Sequence, residues 1–313
     1  MPAVAGMTSG FAAFAGMTRV SFSPMTQPLK RRIEAALGAS IVEARPLAVG
    51  FGLEGAVVTL ADGRRLAVKA AAPGSARAGN LALEGFMLGE LARLSELPVP
   101  RVHYAGDALL AMDYIETDGS GVTAGVERHA GALIAALHAT PRPHFGYARD
   151  TLIGPLHQPN PEAARWVKFF RDHRLLHMAR AAHDEGALPA PLLARIERFA
   201  ARIEEHLIEP AHPALLHGDL WTGNVLVRGG RVAGLVDPAI YCGHPEIELA
   251  FATLFGTFGE SFFEAYEARL PLEPGFHEER REIYNLYPRL VHVRLFGAGY
   301  LAGIEATLRR LGY

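Results

Sequence analysis

Residues 214–238 decide the fold and the chemistry of this chain; they read Ala-Leu-Leu-His-Gly-Asp-Leu-Trp-Thr-Gly-Asn-Val-Leu-Val-Arg-Gly-Gly-Arg-Val-Ala-Gly-Leu-Val-Asp-Pro. Three polar side chains in this stretch, Asp219, Asn224 and Asp237, are candidates for a site. Two apolar-rich runs lie between the last two, separated by Gly229-Gly230, a dipeptide typical of a two-residue hairpin turn. The stretch therefore predicts a polar loop followed by an antiparallel hairpin.

The register of that hairpin predicts a metal site. With a regular turn, Asn224 faces Leu235, and Asp237 then lies opposite Thr222. Because side chains alternate along a strand, Asn224 and Asp237 share one face as diagonal neighbours about 7 Å apart. An amide oxygen and a carboxylate at this separation can share Mg²⁺, which prefers oxygen ligands and usually also binds substrate phosphates. Asp219, just upstream, is free to face a substrate.

The spacing His-x-Asp-x-x-x-x-Asn, formed by His217, Asp219 and Asn224 and followed by Asp237, resembles the catalytic and metal loops of protein-kinase-like enzymes. In that template Asp219 accepts the proton of the attacking hydroxyl. The alternative is a plain turn with two solvated aspartates. We favour phosphoryl transfer because the short motif, the hairpin and the downstream carboxylate agree.

Composition narrows the class of protein. The chain has 313 residues, 50% of them hydrophobic, which is enough for a real core and two lobes. Lys and Arg number 31 against 33 Asp and Glu, so nucleic-acid and membrane partners are not expected. The one cysteine, Cys242, excludes an intramolecular disulfide and suits a cytoplasmic protein. Residues 1–18 lack the basic start and apolar run of a secretory signal, and we expect residues 1–25 to be a flexible extension.

A glycine-rich segment followed by a hairpin predicts a phosphate-binding loop. Its glycines are Gly50, Gly52 and Gly55. Around a two-residue turn at Asp62-Gly63, Lys69 faces Ala56 and its ammonium lies beside the glycines. Backbone N–H groups without Cβ bulk approach phosphate closely, and lysine adds a point charge. The glycines alone could equally be turns, so the prediction depends on Lys69 and the later motif.

Two further elements complete the predicted nucleotide site. Residues 81–94 have helical periodicity, and in kinase-like lobes a helix glutamate pairs with the strand lysine. Glu84 is the preferred partner of Lys69, with Glu90 as the rival and a solvated carboxylate as the plain alternative. The apolar strand ending at residue 115 leads into a polar linker, and the backbone of Asp113, Tyr114 and Ile115 is where we expect an adenine edge to bind.

After this linker the apolar pattern becomes mainly helical. We therefore predict an α+β, two-lobed, protein-kinase-like fold. Residues 26–116 form a small antiparallel-sheet lobe that binds the nucleotide. Residues 117–313 form a larger, mainly helical lobe that carries the catalytic hairpin and binds the acceptor.

Several motifs together make the chain resemble the fructosamine kinase (ketosamine-3-kinase) family. They are His217-Gly-Asp-Leu-Trp-Thr-Gly-Asn224, Asp237-Pro-Ala-Ile-Tyr-Cys-Gly-His-Pro-Glu246, Phe145-Gly-Tyr147, Ile153-Gly154 with Gln158-Pro-Asn160, and Leu295-Phe-Gly-Ala-Gly-Tyr300. The similarity runs from about Thr26 to the C-terminus. Two positions depart from the common pattern, Pro245 and Glu248, which leaves the local helix start and substrate contacts open.

The resemblance implies ATP-dependent phosphorylation of the 3-hydroxyl of a ketosamine, free or protein-linked, in repair of glycated amines. It implies that Asp219 is the base, that Asn224 and Asp237 hold Mg²⁺, and that Lys69 with Glu84 positions the phosphates. Trp221 is a candidate sugar platform, or equally a packing residue. His217 is placed near the substrate but is better suited to bracing the loop. The alternatives are a related kinase for an aminoglycoside-like or choline-like acceptor, and a catalytically silent nucleotide-binding module.

Overall fold

The computed structural model describes residues 25–72 and 79–313, so the predicted extension at 1–25 lies, apart from Met25, outside the described residues. Helix α1 (Gln27–Leu37) begins where the Thr26 hydroxyl accepts a hydrogen bond from the Leu29 N–H at 3.4 Å. It ends at Gly38, whose φ of 66° is the left-handed conformation that glycine adopts readily. Thr26 and Gly38 thus supply the start and end signals of this helix.

Five strands form the antiparallel sheet of the small lobe: β1 (Ile41–Pro46), β2 (Glu54–Leu60), β3 (Arg65–Ala70), β4 (Val102–Gly106) and β5 (Leu109–Asp113). Their order across the sheet is β1-β2-β3-β5-β4. Helix α1 packs Leu29 and Ile33 on one face, and helix α2 (Asn80–Leu94) packs Leu81 and Leu88 on the other. Because side chains alternate along β3, Lys69 points to the α2 face, towards the cleft.

The predicted register of the β2–β3 hairpin is wrong by one residue. Lys69 pairs with Gly55, not with Ala56. The connection has three residues, since the Leu60 N–H donates to the Arg64 carbonyl at 2.9 Å. Asp62 explains the difference, because its Oδ1 accepts from the Arg64 N–H at 3.0 Å and so stabilises a wider turn than the sequence predicted.

The large lobe is mainly helical. Its principal helices are α3 (Ala124–His138), α4 (Trp166–Phe170), α5 (His177–Asp184), α6 (Ala190–Ala200), α7 (Pro245–Leu254), α8 (Glu260–Glu267), α9 (Arg281–Tyr284), α10 (Leu286–Phe296) and α11 (Leu301–Arg310). Short strand pairs lie among them: β6 (Thr151–Ile153) with β7 (Leu156–Gln158), β8 (Ala214–Leu216) with β11 (Tyr241–Gly243), and β9 (Val225–Arg228) with β10 (Arg231–Leu235). The helices enclose one extended apolar core.

Two π turns interrupt the helices of this lobe. The first, Arg171–Leu176, joins α4 to α5, and the second, Phe276–Arg280, precedes α9. A π turn rotates the side chains that follow it relative to the preceding helix. In the first, Arg174 points inward and is fully buried.

The predicted α+β, two-lobed architecture is confirmed, with an antiparallel sheet in the small lobe and helices in the large one. The predicted boundary after Glu116 falls in the segment between β5 and α3. Cys242 is buried on β11, where its N–H and carbonyl exchange hydrogen bonds with Gly146 at 2.8 and 2.9 Å. Within residues 25–72 and 79–313, no helix is both long and apolar enough to cross a membrane.

Candidate active site

The catalytic hairpin has the predicted turn but not the predicted register throughout. Strands β9 and β10 pair Arg228 with Arg231 across the turn, and a bulge at Ala233 then shifts the pairing by one residue. Asn224 therefore lies opposite Val236, whose N–H donates to the Asn224 carbonyl at 3.1 Å, and not opposite Leu235.

Helix α3 contacts the hairpin beside the bulge. The Val232 N–H, on the outer edge of β10, donates to His129 Nδ1 at 3.1 Å. Because of the bulge, Val236 lies opposite Asn224, and Asp237 directly follows Val236. Asp237 also has a φ of 53°, a left-handed conformation uncommon outside glycine, so the backbone aims this carboxylate at some cost.

Asp219 is held by the residues of its own loop. Asn224 Nδ2 donates to the Asp219 carboxylate Oδ2 and to the Asp219 carbonyl, both at 2.8 Å. Burial raises the pKa of Asp219 to about 7, although the hydrogen bond from Asn224 and the nearby indole of Trp221 oppose that rise. Such a carboxylate can both accept and release a proton near neutral pH.

The backbone of this loop is braced from two sides. The Asp219 N–H donates to His217 Nδ1 at 3.3 Å, so His217, which is fully buried, supports the loop from behind as the sequence suggested. The Gly218 N–H donates to Glu248 Oε1 at 2.6 Å, and His138 Nε2 donates to Glu248 Oε2 at 2.9 Å. Glu248 therefore ties the loop to helix α7.

The two departures noted in the sequence have structural explanations. Glu248 is the loop brace just described; burial alone would raise its pKa, but the hydrogen bond and charge of His138 lower it, which keeps the carboxylate ionised. Pro245 occupies the first position of α7, where a missing N–H costs nothing. His244 caps the same helix, since its Nδ1 accepts from the Glu246 N–H at 3.1 Å.

Lys69 joins the two lobes. Its Nζ lies 2.7 Å from Glu84 Oε1 on α2 and also contacts Asp237 Oδ1 in the large lobe. Burial would lower the pKa of Lys69, but these two carboxylates raise it well above its ordinary value. The rival, Glu90, instead pairs with Arg93 at 2.8 Å and accepts from the Tyr147 hydroxyl at 2.6 Å.

The three glycines of the predicted phosphate loop differ in their surroundings. No described atom lies within 4 Å of the position that a Cβ would take on Gly50 or Gly52. A Cβ on Gly55 would lie 2.2 Å from the Leu47 carbonyl oxygen, so this glycine allows close packing within the sheet. Gly50 and Gly52 thus leave room for a phosphate, whereas the space beside Gly55 is already filled by Leu47.

The linker that we expected to bind adenine is partly committed to the sheet. The Asp113 N–H donates to the Arg101 carbonyl at 2.9 Å, and the Tyr114 N–H donates to the Arg65 carbonyl at 3.1 Å. The Ile115 N–H has no partner within the described part of the chain. Of the three predicted positions, Ile115 therefore keeps its amide available to a nucleotide base.

A pocket opens beside Asp219. Aromatic side chains from β11, α7 and α10 form much of its wall, namely Tyr241, Phe251, Tyr287 and His292. No pattern in the sequence beyond general apolar periodicity indicated this wall. His292 Nδ1 donates to the Pro288 carbonyl at 2.7 Å, and burial lowers the pKa of His292, so its neutral Nε2 is an acceptor.

Trp221 has a packing role that is evident from its neighbours. Its indole lies edge-on to Phe255, with ring centroids 6.3 Å apart. A Cβ on Gly223 would lie 2.4 Å from the same indole, so glycine is required there. These contacts fix the ring at the edge of the catalytic loop.

The donors available for a metal ion are oxygens. Within the described residues, no group of three or more His, Cys, Asp or Glu side chains is arranged to hold a metal. Because Asn224 uses Nδ2 towards Asp219, its amide oxygen is the atom left for another partner. This oxygen and the half-exposed Asp237 carboxylate form a donor set that suits Mg²⁺ completed by phosphate oxygens.

Together, the fold and this cleft define a phosphotransferase with a protein-kinase-like fold, acting on a hydroxyl acceptor. Solved aminoglycoside phosphotransferases with bound ADP share the fold, at TM-scores of 0.59 and 0.62 and 17% identity. The chain belongs to the fructosamine kinase family, whose sequence profile matches residues 25–312.

Individual relatives agree with that assignment. A probable ketoamine kinase of Synechocystis is 37% identical over 68% of this chain and 72% of its own length. The chloroplastic protein-ribulosamine 3-kinase of Arabidopsis thaliana is 34% identical over 64% of this chain and 63% of its own length. A crystal structure described as a putative fructosamine-3-kinase from Thermobifida fusca has a TM-score of 0.83 at 31% identity, covering 91% of this chain and 98% of that one.

Proposed function

We propose that this protein is an ATP-dependent ketosamine kinase that phosphorylates the 3-hydroxyl of fructosamine or ribulosamine adducts and so serves the repair of glycated amines in the cytoplasm. The observation that carries the proposal is the position of Asp219. Its carboxylate lines the pocket, burial raises its pKa to about 7, and it accepts a hydrogen bond from Asn224 of the same loop. Asp237, after the second strand of the catalytic hairpin, contacts Lys69. Family membership supports the choice of acceptor.

Each side chain in the cleft then has a role. Asp219 takes up the proton that the acceptor hydroxyl loses as its oxygen attacks the γ-phosphorus of ATP, and ADP leaves. Asn224 holds this carboxylate in position through its hydrogen bond. Lys69 supplies positive charge to the phosphates, and Glu84 keeps its ammonium in place.

Magnesium fits the oxygen donors of Asn224 and Asp237, and when bound it would neutralise charge on the phosphates. In the structure described here, Lys69 contacts Asp237 Oδ1. With Mg-ATP bound, Asn224 and Asp237 would hold the metal and Lys69 would face a phosphate. Backbone amides near Gly50 and Gly52 would meet the phosphates, and the Ile115 amide the adenine edge.

The proposal is tested by measuring ADP release from purified protein with Mg-ATP and synthetic ribulose-lysine or fructose-lysine. Parallel reactions contain an aminoglycoside, choline or no acceptor, and Asp219→Asn serves as the catalytic control. We expect release that depends on the adduct and disappears in the variant, with the product phosphorylated at the 3-hydroxyl by NMR. Turnover only with another acceptor identifies a related kinase, and nucleotide binding without any turnover identifies a silent module; either result contradicts the proposal.

A further inference from the structure

A buried chain of hydrogen bonds lies directly behind the pocket and has no part in the phosphoryl-transfer roles given above. Its members, in order, are Arg174, Asn160, Thr151, Gln158 and Tyr287. All five are at most 5% exposed, and only Tyr287 lines the pocket. Gln158 and Asn160 belong to the Gln-Pro-Asn element for which the sequence suggested no role.

The direction of every hydrogen bond at the Arg174 end is fixed by chemistry. A guanidinium can only donate, and Arg174 Nη2 lies 2.6 Å from Asn160 Oδ1. The Asn160 amide therefore turns its Nδ2 towards Thr151 Oγ1, at 2.7 Å. Thr151 in turn gives its own proton to the Ile240 carbonyl at 3.0 Å.

The direction at the Tyr287 end follows in the same way. A carbonyl oxygen can only accept, and the Ala239 carbonyl lies 3.0 Å from one atom of the Gln158 amide, which must therefore be Nε2. The same Nε2 donates to Thr151 Oγ1 at 2.9 Å. The opposite atom, Gln158 Oε1, lies 2.7 Å from the Tyr287 hydroxyl, which must donate to it. The phenol oxygen of Tyr287 can then only accept from a ligand.

We infer that Tyr287 is a specificity-determining residue, and that its phenol oxygen accepts a hydrogen bond from a hydroxyl of the sugar acceptor other than the one that is phosphorylated. This inference depends on the proposed function for the identity of the acceptor. His292 Nε2 is a second acceptor on the same wall. A wall of acceptors selects a ligand rich in donors, such as a polyol, and disfavours one whose groups can only accept.

Arg174, at the end of the hydrogen-bonded chain away from the pocket, also contacts a second residue of the pocket wall. The guanidinium of Arg174 lies over the ring of Tyr241, 3.9 Å from its centroid, and Tyr241 lines the pocket. Burial raises the pKa of Tyr287, and the nearby charge of Asp219 adds to that rise although Arg174 opposes it. Both effects keep the phenol protonated, so its single proton stays with Gln158.

The first test uses the wild-type enzyme with three forms of the acceptor at each hydroxyl other than the 3-hydroxyl: the parent, the deoxy analogue and the deoxyfluoro analogue. Fluorine cannot donate a hydrogen bond. If Tyr287 accepts, kcat/KM falls about tenfold at one position for the deoxy and the deoxyfluoro analogue alike. A deoxyfluoro analogue that retains the rate at every position where the deoxy analogue loses it would show that the wall donates, and would overturn the inference.

The second test is the variant Tyr287→Phe with the same analogues. With the parent acceptor, kcat/KM of the variant should be about tenfold lower than that of the wild type. With the analogue to which the wild type is sensitive, the substitution should cause no additional loss, and the KM for ATP should not change. The matched control is Tyr284→Phe, since Tyr284 is equally buried, accepts from Trp166 Nε1 at 2.9 Å and does not line the pocket. It should lower the melting temperature and leave the acceptor KM unchanged.

The outcomes separate the two proposals. Two results contradict the role of Tyr287 but not the proposed function. In one, the loss caused by the sensitive analogue adds to the loss caused by Tyr287→Phe; in the other, Tyr287→Phe leaves the acceptor kinetics unchanged. A wild-type enzyme that phosphorylates a different acceptor contradicts the proposed function, and the role of Tyr287 is then read from the same series built on that acceptor. A wild-type enzyme without turnover on any acceptor contradicts both.

Discussion

The two sides of the cleft are held by different kinds of interaction. On the nucleotide side, Lys69 joins Glu84 to Asp237 across the two lobes, and the Asp237 side chain is 47% exposed. On the acceptor side, neutral groups within one lobe bond Gln158 to Tyr287 out of contact with water. An ion pair in which the Asp237 side chain is half exposed can exchange partners, whereas a buried chain with fixed polarity cannot reverse without leaving a donor or acceptor unpaired. We therefore expect the nucleotide side to adapt to its ligand and the acceptor side to select.

The largest expected effect comes from Asp219→Asn, which removes the base and keeps the shape. An amide cannot take up the proton of the acceptor, so kcat should fall by about 10²–10⁴. The dissociation constant for ATP should change less than twofold, because Asp219 does not contact Lys69 or Glu84. ADP release and calorimetric titration measure the two quantities. Turnover close to that of the wild type would remove Asp219 from the mechanism.

The second prediction concerns the ion pair between Lys69 and Glu84 on the nucleotide side. Lys69→Met leaves Glu84 buried without its cation, which should lower the free energy of unfolding by about 3 kcal/mol. Adding Glu84→Gln to this variant should recover most of the stability but none of the activity. Lys30→Met is the control, because Lys30 pairs with Glu34 at 3.8 Å on the surface and should contribute less than about 0.5 kcal/mol. Urea unfolding measures all three, and equal losses for Lys69→Met and Lys30→Met would contradict the comparison.

The third prediction separates two glycines of the same segment. Gly55→Ala forces a Cβ against the Leu47 carbonyl and should cost about 2 kcal/mol of stability. Gly50→Ala meets no described atom, so stability should change by less than about 0.5 kcal/mol while the KM for ATP rises. Thermal unfolding and nucleotide kinetics distinguish them. The interpretation fails if Gly50→Ala destabilises the protein as much as Gly55→Ala does.

The smallest effect is expected at a contact between the two lobes that lies outside the catalytic residues. Tyr147→Phe removes the hydrogen bond to Glu90 on α2 and should cost about 1 kcal/mol. Glu90 keeps its bond to Arg93, which limits the loss. The melting temperature should fall by a few degrees, with acceptor selectivity unchanged, and Tyr104→Phe on the exposed edge strand is the control. A change in acceptor KM would mean that the two sides are coupled through α2.

The sequence predicted the parts of the site that depend on local spacing. Asp219 and Asn224 belong to one short loop, and the helical position of Glu84 was enough to favour it over Glu90 as the partner of Lys69. The fold class followed from where strand patterns gave way to helical ones. These features depend on residues close together in the chain or on a single periodicity.

The parts that the sequence missed depend on contacts between distant residues. The bulge at Ala233 coincides with a hydrogen bond from Val232 to His129, 103 positions away. The bond between Tyr287 and Gln158 spans 129 positions, and each residue alone has an ordinary surrounding sequence. No local pattern records which side chains meet in the folded core, so neither the exact register nor the polarity of the pocket wall could be predicted.

The chemical reactivity of Cys242, which is buried on β11, can be used to follow local unfolding of the large lobe. Burial raises the pKa of the Cys242 thiol to about 11, so only about one molecule in 10⁴ carries the reactive thiolate at pH 7. The residue is 6% exposed on β11, and it is the one cysteine of the chain. Alkylating reagents should therefore modify the native protein only when the strand pair of β8 and β11 separates, and the labelling rate would follow the lifetime of the folded large lobe.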